Sequence, residues 1–423
     1  MEMMKVEIIT KEIIKPSSPT PHELRNLKGS FLDQLAPTTY IPIILFYQPK
    51  SGHDFDQSKN RLKKSLQQTL NRFYPLAGSV KEDHFIDCND EGVEFYEARV
   101  ACNLSQVLQH FNMEILNQFL PFESFGTHEV LLAVKYNIFE CGGVAIGVCF
   151  SHRIADGASA TTFLGAWSAT SRGGSDEDHV CPKFDAATYF PPKDLPWGMG
   201  DIGATKEKIV TRRLVFDKSS IAALKEKASS TRVEAVSALI WKRLIAINKS
   251  KPAPAIVHVA VHAVNLRPRM VPPLPTHSFG NLWYFAMAVL SPLDHQLDHD
   301  DDRTLAIKLS HVIKEIDGDY VKKLQSDEFP DSLTKGMEVS SMGDVELYKF
   351  TSWCRFPLYE ADFGWGQPTW ACCPSMPFKN LVVLTSTRDG HGIEASLNIL
   401  EEDEVVFDRD EELLPFVSWK IAE

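Results

Sequence analysis

The chain lacks an excess of basic residues, and this absence limits its partners. Its 423 residues include 44 lysines and arginines but 56 aspartates and glutamates, so the formal net charge is −12. A surface that binds nucleic acid needs basic side chains for the phosphates. We therefore predict no nucleic-acid partner, whereas a single phosphorylated cofactor would need only a local basic cluster.

Long apolar runs are also missing. The run at residues 40–47, one of the longest, is far shorter than the roughly 20 residues that a membrane-spanning helix needs. The first residues, Met-Glu-Met-Met-Lys-Val-Glu, carry acidic side chains and no apolar core, unlike a secretory signal peptide. These features predict a cytoplasmic protein with no membrane partner.

Cysteine and histidine are present without the spacing of metal or disulfide motifs. The 8 cysteines are scattered and include no C-x-x-C pair, which predicts reduced thiols in the absence of a secretory signal. Two His-x-x-x-His pairs, His258/His262 and His295/His299, lack the helical H-E-x-x-H context of a zinc site. We therefore predict no metal site.

Several catalytic motifs are absent or lie out of context. There is no G-x-S-x-G nucleophile elbow and no Walker loop. Glycines at 198, 200 and 203 match the dinucleotide fingerprint, but a proline-rich stretch precedes them where that fingerprint needs a strand. Asp362-Phe363-Gly364 matches the kinase metal-binding triplet, yet the other kinase motifs are missing. The patterns exclude a Rossmann dehydrogenase and a kinase.

What the chain does contain is an alternation of strand and helix patterns, which predicts an α/β fold. Strand patterns occupy residues 41–47, 130–139, 143–150, 209–216, 256–264, 282–290, 381–384 and 393–400. Helical patterns occupy residues 62–73, the stretch after Gly157, a segment from the capping box Thr231–Glu234 toward Ile247, and residues 305–324. The length suits two domains, and the proline- and glycine-rich segment 191–203 predicts the linker between them.

The most informative stretch is Ser151-His152-Arg-Ile-Ala-Asp156-Gly157, at the end of the apolar strand pattern 143–150. A neutral imidazole where a buried strand gives way to a helix can accept a proton near neutral pH. Of the 14 histidines, only His152 has an aspartate four residues later. Two alternatives stay open at this point: His152 is a packed strand-end residue, or Asp156 is only the N-cap of the following helix.

A second motif, Asp362-Phe363-Gly364-Trp365-Gly366, follows about 200 residues later in the chain. The ordered pair resembles the hallmark motifs HxxxD and DFGWG of the plant BAHD acyltransferase family. The resemblance covers essentially the whole chain, with further likeness at residues 14–21, 32–34, 73–78, 265–267 and 279–281. Residues 139–147 and 351–355 favour the alkaloid O-acetyltransferases within that family.

The resemblance implies two chloramphenicol-acetyltransferase-like α/β domains with a solvent channel between them. On this basis we expect residues 1–190 to carry HxxxD, residues 191–207 to form the crossover linker, and residues 208–423 to carry DFGWG. It also implies that a segment of the second half completes the sheet of the first domain. The protein is expected to be a monomer.

The chemistry that the resemblance implies is acyl transfer from acyl-CoA, with acetyl-CoA the favoured co-substrate, to an alcohol of a plant specialised metabolite. His152 would be the general base in a ternary complex. Asp156 would form a structural ion pair with Arg267, with orientation of the imidazole as its alternative role. Asp362 stays a catalytic candidate, although its motif resembles a structural box.

The resemblance also implies that Ser278, Asn281 and Trp365 are candidates for CoA binding. Basic candidates for the CoA phosphates are Lys206, Lys208, Arg212, Arg213 and Arg269. The favoured acceptor is an alkaloid hydroxyl, with a terpenoid or aromatic alcohol as the alternative. Two other classes stay open: a non-catalytic binding protein on the same fold, and a hydrolase in which His152 activates water.

Overall fold

Strands and helices alternate along the chain in the computed structural model, as the sequence patterns predict. The structure describes residues 4–50, 52, 54–81, 85–109, 113–123, 128–174, 180–194, 205, 207–291, 301–326, 343–376 and 378–418. The α/β class predicted from the sequence is therefore confirmed.

The strands and helices are numbered in chain order. The strands are β1 (Val6–Ile14), β2 (Asn26–Lys28), β3 (Tyr40–Tyr47), β4 (Ser79–Val80), β5 (Phe85–Asp87), β6 (Val93–Val100), β7 (Leu132–Phe139), β8 (Val144–Ser151), β9 (Ile209–Phe216), β10 (Val257–Asn265), β11 (Trp283–Leu290), β12 (Val345–Ser352), β13 (Trp370–Cys372), β14 (Leu381–Ser386) and β15 (Ile393–Leu400). The helices are α1 (Phe31–Leu35), α2 (Phe55–Leu70), α3 (Leu104–Gln109), α4 (Met113–Leu116), α5 (Gly157–Ser171), α6 (Ala186–Tyr189), α7 (Lys218–Ala228), α8 (Arg232–Lys249), α9 (Asp302–Glu315), α10 (Gly318–Gln325) and α11 (Glu404–Phe407).

These elements divide between two compact units, each made of several chain segments. The first unit contains Met1–Ile202, Pro275–Leu282 and Phe356–Met376, and the second contains Gly203–Leu274, Trp283–Arg355 and Pro377–Glu423. Most of the predicted linker at residues 191–207 lies outside the described residues. The linear domain boundaries drawn from the sequence stay a prediction.

The main sheet of the first unit has, among the described residues, six strands in the order β1-β6-β7-β8-β3-β13. Strands β8 and β3 pair antiparallel and are buried at every position, which explains their continuous apolar sequences. Glycine is required at position 147 of β8 for steric reasons, because a Cβ there would lie 2.1 Å from the Phe119 carbonyl oxygen. The short strand β13 comes from the last part of the chain and pairs antiparallel with β3.

Helix α5 follows β8 and packs against α2 in the first unit. It begins where the Asp156 side chain caps its N-terminus and accepts the Ser159 backbone N–H. The buried Trp167 indole of α5 donates to Ser65 Oγ of α2 at 3.1 Å. The helix therefore has a fixed start directly after the His152 turn, and its position on α2 is tied by a buried hydrogen bond.

The second unit has, within the described residues, a mixed sheet in the order β11-β10-β12-β14-β15-β9. Helices α7, α8 and α9 pack on one another beside this sheet. Helix α8 begins with the capping box that Thr231 and Glu234 predict, each side chain bonding the other residue's backbone N–H. This prediction is confirmed.

One helix prediction is wrong in a specific way. The sequence pattern predicts a single helix over residues 305–324, but the structure has two helices, α9 and α10, with a break at Ile316 and Asp317. The Asp317 side chain accepts the backbone N–H groups of Asp319 and Tyr320 and so starts a new helix. The apolar period continues through the break, which is why the pattern concealed it.

Two further predictions concern thiols and membrane spans. All eight cysteines are present as thiols. No helix within the described segments combines the length and the apolar character needed to cross a bilayer.

Candidate active site

His152 lies directly after β8 and before α5, where the sequence predicts it. Its backbone N–H donates to the Thr39 carbonyl at 2.9 Å, which continues the pairing of β8 with β3 by one residue. Its ring is partly buried, and Nδ1 lies 2.9 Å from Oδ1 of Asn281. The backbone position of the imidazole is therefore set by the sheet, and the orientation of its ring by an amide side chain.

The Asn281 side chain determines which ring nitrogen carries the proton. Its Nδ2 donates to the His152 carbonyl at 2.7 Å and to Asp33 Oδ1 at 2.8 Å. Both amide hydrogens are thus directed at oxygen atoms, which assigns Oδ1 to the position facing Nδ1. Since Oδ1 can only accept, Nδ1 of His152 is the donor, and the lone pair of the neutral ring is on Nε2.

The pKa of His152 lies below its ordinary value, because burial disfavours the charged imidazolium. Its own backbone carbonyl, Asn281, and the charges of Asp156 and Asp33 act in the opposite direction and raise the pKa. The ring is therefore neutral at physiological pH, with polar groups placed to stabilise it when it takes up a proton. An imidazole in this state can serve as a general base.

Asp33 is the residue of this site that sequence reasoning missed as a functional candidate. It is buried in α1, and its Oδ2 accepts the backbone N–H and the hydroxyl of Ser30, both at 2.7 Å. Its Oδ1 accepts the backbone N–H and the side-chain amide of Asn281 at 3.0 and 2.8 Å. Burial raises the pKa of Asp33, and the hydrogen bonds from Ser30 and Asn281 oppose that rise. The Ser30-x-x-Asp33 capping box was a sequence signal for its local role only.

Asp156 makes two backbone contacts that are typical of a structural residue. Its Oδ1 accepts the Ser159 N–H at 2.8 Å and caps α5, and its Oδ2 accepts the Leu282 N–H at 3.1 Å. Asp156 is therefore the N-cap of α5, but its bond to Leu282 means that it is not the N-cap only. The predicted ion pair with Arg267 stays a prediction, since Arg267 belongs to the other compact unit.

The segment around Asn281 is held from several sides within the first unit. The Ser159 hydroxyl donates to the Gly280 carbonyl at 3.0 Å and accepts the Gly280 N–H at 3.1 Å. Gly280 has φ of +133°, a conformation that favours glycine. Together with the bonds from Asp33 and Asp156, these contacts fix Asn281 relative to His152. Asn281, which the sequence analysis gave as a CoA-binding candidate, is fully buried and contacts the imidazole of His152.

The Asp362–Gly366 box folds around its own aspartate. Asp362 Oδ1 accepts the backbone N–H groups of Gly364 at 2.7 Å and Gly366 at 2.9 Å. The Trp365 ring meets the Tyr47 ring edge-on at 5.9 Å, and the Arg61 guanidinium lies over the indole at 5.4 Å from its centre. These contacts support the structural role that the resemblance implies for the box.

Helix α5 separates this box from His152. At its C-terminal end, the Ser171 hydroxyl donates to the Phe363 carbonyl at 2.9 Å, and Arg172 donates to the Asp362 carbonyl. Asp156 and His152 lie at its N-terminal end. A helix of 15 residues is roughly 22 Å long at 1.5 Å per residue. Asp362 is therefore too far from the imidazole to act on it directly.

The described basic candidates for the CoA phosphates contact groups of this chain, and their binding of CoA stays a prediction. Arg269 donates to the carbonyls of Ile313 and Ile316 at the end of α9, at 3.2 and 2.8 Å. The described basic residues of the strand β9 region are in ion pairs: Lys208 with Glu401, Arg212 with Glu404 and Asp408, and Arg213 with Glu394. Lys206 lies outside the described residues. Ser278 is buried, and its backbone N–H donates to the Pro275 carbonyl.

The histidine pair on β10 has structural surroundings. His258 Nδ1 lies 3.0 Å from the Tyr348 hydroxyl, and the buried His262 ring stacks on Phe350 at 4.9 Å. Burial lowers the pKa of His262 to about 4. Across the part of the chain that the structure describes, no group of three or more His, Cys, Asp or Glu side chains could hold a metal ion. His295 and His299 lie outside that part.

Comparisons with known proteins agree with the motifs. The sequence profile of the Transferase family matches residues 4–414. The family match and the fold define an acyltransferase enzyme of the α/β class, as predicted. The chain belongs to the Transferase family, whose plant members are the BAHD acyltransferases.

Individual relatives cover almost the whole chain. Stemmadenine O-acetyltransferase of Catharanthus roseus is 40% identical, with 94% of this chain and 95% of the relative covered. Vinorine synthase of Rauvolfia serpentina is 41% identical over the same shares, and its crystal structure superposes with a TM-score of 0.86. That superposition covers 99% of this chain and 100% of the solved one, at 39% identity. Limonoid 21-O-acetyltransferase of Melia azedarach is 38% identical, over 98% of this chain and 99% of the relative. The predicted likeness to alkaloid O-acetyltransferases and the predicted two-domain acyltransferase fold are confirmed.

Proposed function

We propose that the protein is an acyl-CoA-dependent O-acetyltransferase that transfers acetyl from acetyl-CoA to a hydroxyl of a plant specialised metabolite. The observation that carries this proposal is the His152 imidazole directly after β8, with Nδ1 2.9 Å from Asn281 Oδ1 and a pKa lowered by burial. The relatives named O-acetyltransferases support the acetyl group and the hydroxyl acceptor.

In this mechanism, Nε2 of His152 takes the proton of the acceptor hydroxyl as the hydroxyl oxygen attacks the thioester carbonyl carbon. The new C–O ester bond forms, the C–S bond breaks, and the imidazolium returns its proton to the departing CoA thiolate. A positioned general base contributes about 10²–10⁴-fold to the rate. Both substrates meet in one ternary complex, so positioning supplies much of the remaining acceleration.

No covalent acyl-enzyme is part of this mechanism. Burial raises the pKa of the Cys149 and Cys373 thiols above their ordinary values, which disfavours thiolate nucleophiles. Varying both substrates should give intersecting lines in double-reciprocal plots, and enzyme mixed with acetyl-CoA alone should keep its unmodified mass. A stoichiometric, catalytically competent acetyl adduct would overturn the ternary-complex mechanism.

The proposed acceptor is an alkaloid hydroxyl. Stemmadenine O-acetyltransferase and vinorine synthase support this class, while limonoid 21-O-acetyltransferase supports a terpenoid alcohol as the alternative. A panel of hydroxylated alkaloids and limonoids, assayed with acetyl-CoA for release of free thiol, decides between them by kcat/KM.

The same assay tests the reaction class. An acetyltransferase releases thiol only when an alcohol is present, a hydrolase releases it without one, and a binding protein releases none. We further propose that the protein is a monomer in the cytoplasm, where its eight thiols would stay reduced. Size-exclusion chromatography and a fluorescent fusion test these two points.

A further inference from the structure

Behind His152, a chain of hydrogen bonds leads to a buried carboxylate. His152 Nδ1 donates to Asn281 Oδ1 at 2.9 Å, and the Asn281 amide donates to Asp33 Oδ1 at 2.8 Å. All three residues belong to the first compact unit. Asp33 is 248 positions from Asn281 in the sequence, so their contact is made by the fold.

The contacts of Asp33 are those of an ionised carboxylate. Four donors bond its two oxygens: the N–H and hydroxyl of Ser30, and the N–H and side-chain amide of Asn281. Three of these groups, the two backbone N–H groups and the Asn281 amide, can only donate, and the Ser30 hydroxyl is placed to donate as well. Such hydrogen bonds stabilise the charged form even where burial opposes it.

Asn281 is oriented by this carboxylate. An isolated asparagine amide can turn by half a rotation and present either its oxygen or its NH₂ group to a neighbour. Here the Asp33 carboxylate and the His152 carbonyl both require a donor, so the oxygen is left facing Nδ1 of the imidazole. The Asp33 carboxylate thereby orients the amide that faces the imidazole, without touching the ring itself.

We propose that Asp33 is a positioning residue, which acts through Asn281 to hold His152 as the Nδ1–H tautomer and to stabilise the imidazolium formed during the reaction. It would thus have the task of the carboxylate in a catalytic triad, with an amide placed between acid and imidazole. The inference rests on the proposed role of His152 as general base. The tautomer itself is measurable without any reaction.

The direct experiment is nitrogen-15 NMR of histidine-labelled protein, with the His152 signals assigned by comparison with His152→Ala. We expect wild-type His152, above its pKa, to show a protonated Nδ1 and an unprotonated Nε2. In Asp33→Asn, the Asn281 amide is expected to turn, and the proton to move to Nε2. A wild-type ring protonated at Nε2 would overturn the proposal, whether or not any variant folds.

Kinetics of Asp33→Asn give the second measurement. In metal sites, loss of a carboxylate that supports a ligating histidine costs about 10–100-fold in activity; by analogy we expect a loss of that order in kcat for Asp33→Asn, with KM little changed. The acid limb of the pH profile should move to lower pH, because the charges that raise the pKa of His152 are those of Asp33 and Asp156, and one of them is removed. Asn281→Ala should likewise remove the preference of the His152 ring for a proton on Nδ1.

The matched control is Asp90→Asn. Asp90 is a partly buried carboxylate of the same unit that accepts hydrogen bonds from Thr20 and Arg25. We expect this control to lower stability without moving the tautomer or the acid limb. If Asp33→Asn and Asn281→Ala behave as this control does, the positioning role is wrong. If no alcohol is acetylated but the tautomer changes as expected, only the proposed reaction fails.

Discussion

Each end of helix α5 lies beside an aspartate with similar backbone contacts, yet the two ends differ in chemistry. At each end an aspartate accepts two backbone N–H groups: Asp156 those of Ser159 and Leu282, and Asp362 those of Gly364 and Gly366. Only the N-terminal end has an imidazole beside its aspartate. The C-terminal end surrounds its aspartate with aromatic rings and Arg172.

The aspartates also differ in how their oxygens are used. Asp156 uses both oxygens, one for the helix cap and one for the segment that carries Asn281. Asp362 uses a single oxygen, Oδ1, for both of its N–H contacts. The first carboxylate therefore joins two parts of the candidate active site, and the second stabilises one turn.

The largest expected effect is that of His152→Ala. Removing a general base lowers kcat by about 10²–10⁴-fold. Circular dichroism should stay close to wild type, and the free energy of unfolding should fall only modestly, because the buried Asn281 oxygen loses its donor. His258→Ala is the matched control: it removes a buried histidine bonded to Tyr348 in the other unit, and should lower stability but spare the chemical step. Near-normal kcat in a folded His152→Ala protein would contradict the proposed base.

Asp156→Asn is expected to have the second largest effect. One of the two N–H groups would face an NH₂ instead of an oxygen, and a buried donor left without its acceptor costs roughly 1–3 kcal/mol. Activity and the free energy of unfolding should fall together, since the bond to Leu282 helps to place Asn281. Urea unfolding with parallel kinetics checks this.

The predicted Asp156–Arg267 ion pair has its own test. A double-mutant cycle with Asp156→Ala and Arg267→Ala measures their coupling free energy. A coupling near zero would contradict the ion pair.

The pH dependence of activity gives a smaller, directional test. The base must be neutral to act, so kcat/KM should fall as the pH drops through the pKa of His152. Because burial lowers that pKa, the acid limb should lie below the ordinary value of about 6.5 for a histidine. An acid limb above that value would mean that the carboxylates of Asp33 and Asp156 outweigh burial.

The smallest effect is expected for Asp362→Asn. Asparagine keeps the one oxygen that accepts from Gly364 and Gly366, so activity and unfolding free energy should stay near wild type. Asp362→Ala removes that oxygen, and we expect a loss of about 1 kcal/mol for each hydrogen bond, with the acid limb unchanged. A strong kcat loss in folded Asp362→Asn would revive a catalytic role for this residue.

Much of the local structure could be predicted from the sequence. The apolar runs at β3 and β8 and the Thr231–Glu234 capping box indicated their elements correctly, because each depends on neighbouring residues. The break between α9 and α10 was missed, since the apolar period alone does not register that Asp317 can cap a new helix. Family membership also followed from sequence, through two motifs in a fixed order.

The residues of the candidate site also fall into two groups: those that the sequence predicts and those that only the tertiary structure brings together. The sequence by itself determined that His152 ends a buried strand and that Asp156 begins a helix, because β-strand and N-cap patterns are local. Only the tertiary structure decided that Asn281, 129 positions further along, faces the imidazole, and that Asp33 lies behind it. It also decided that Asp362 lies at the far end of α5. Such contacts depend on how distant segments pack, and no periodicity within one segment encodes them.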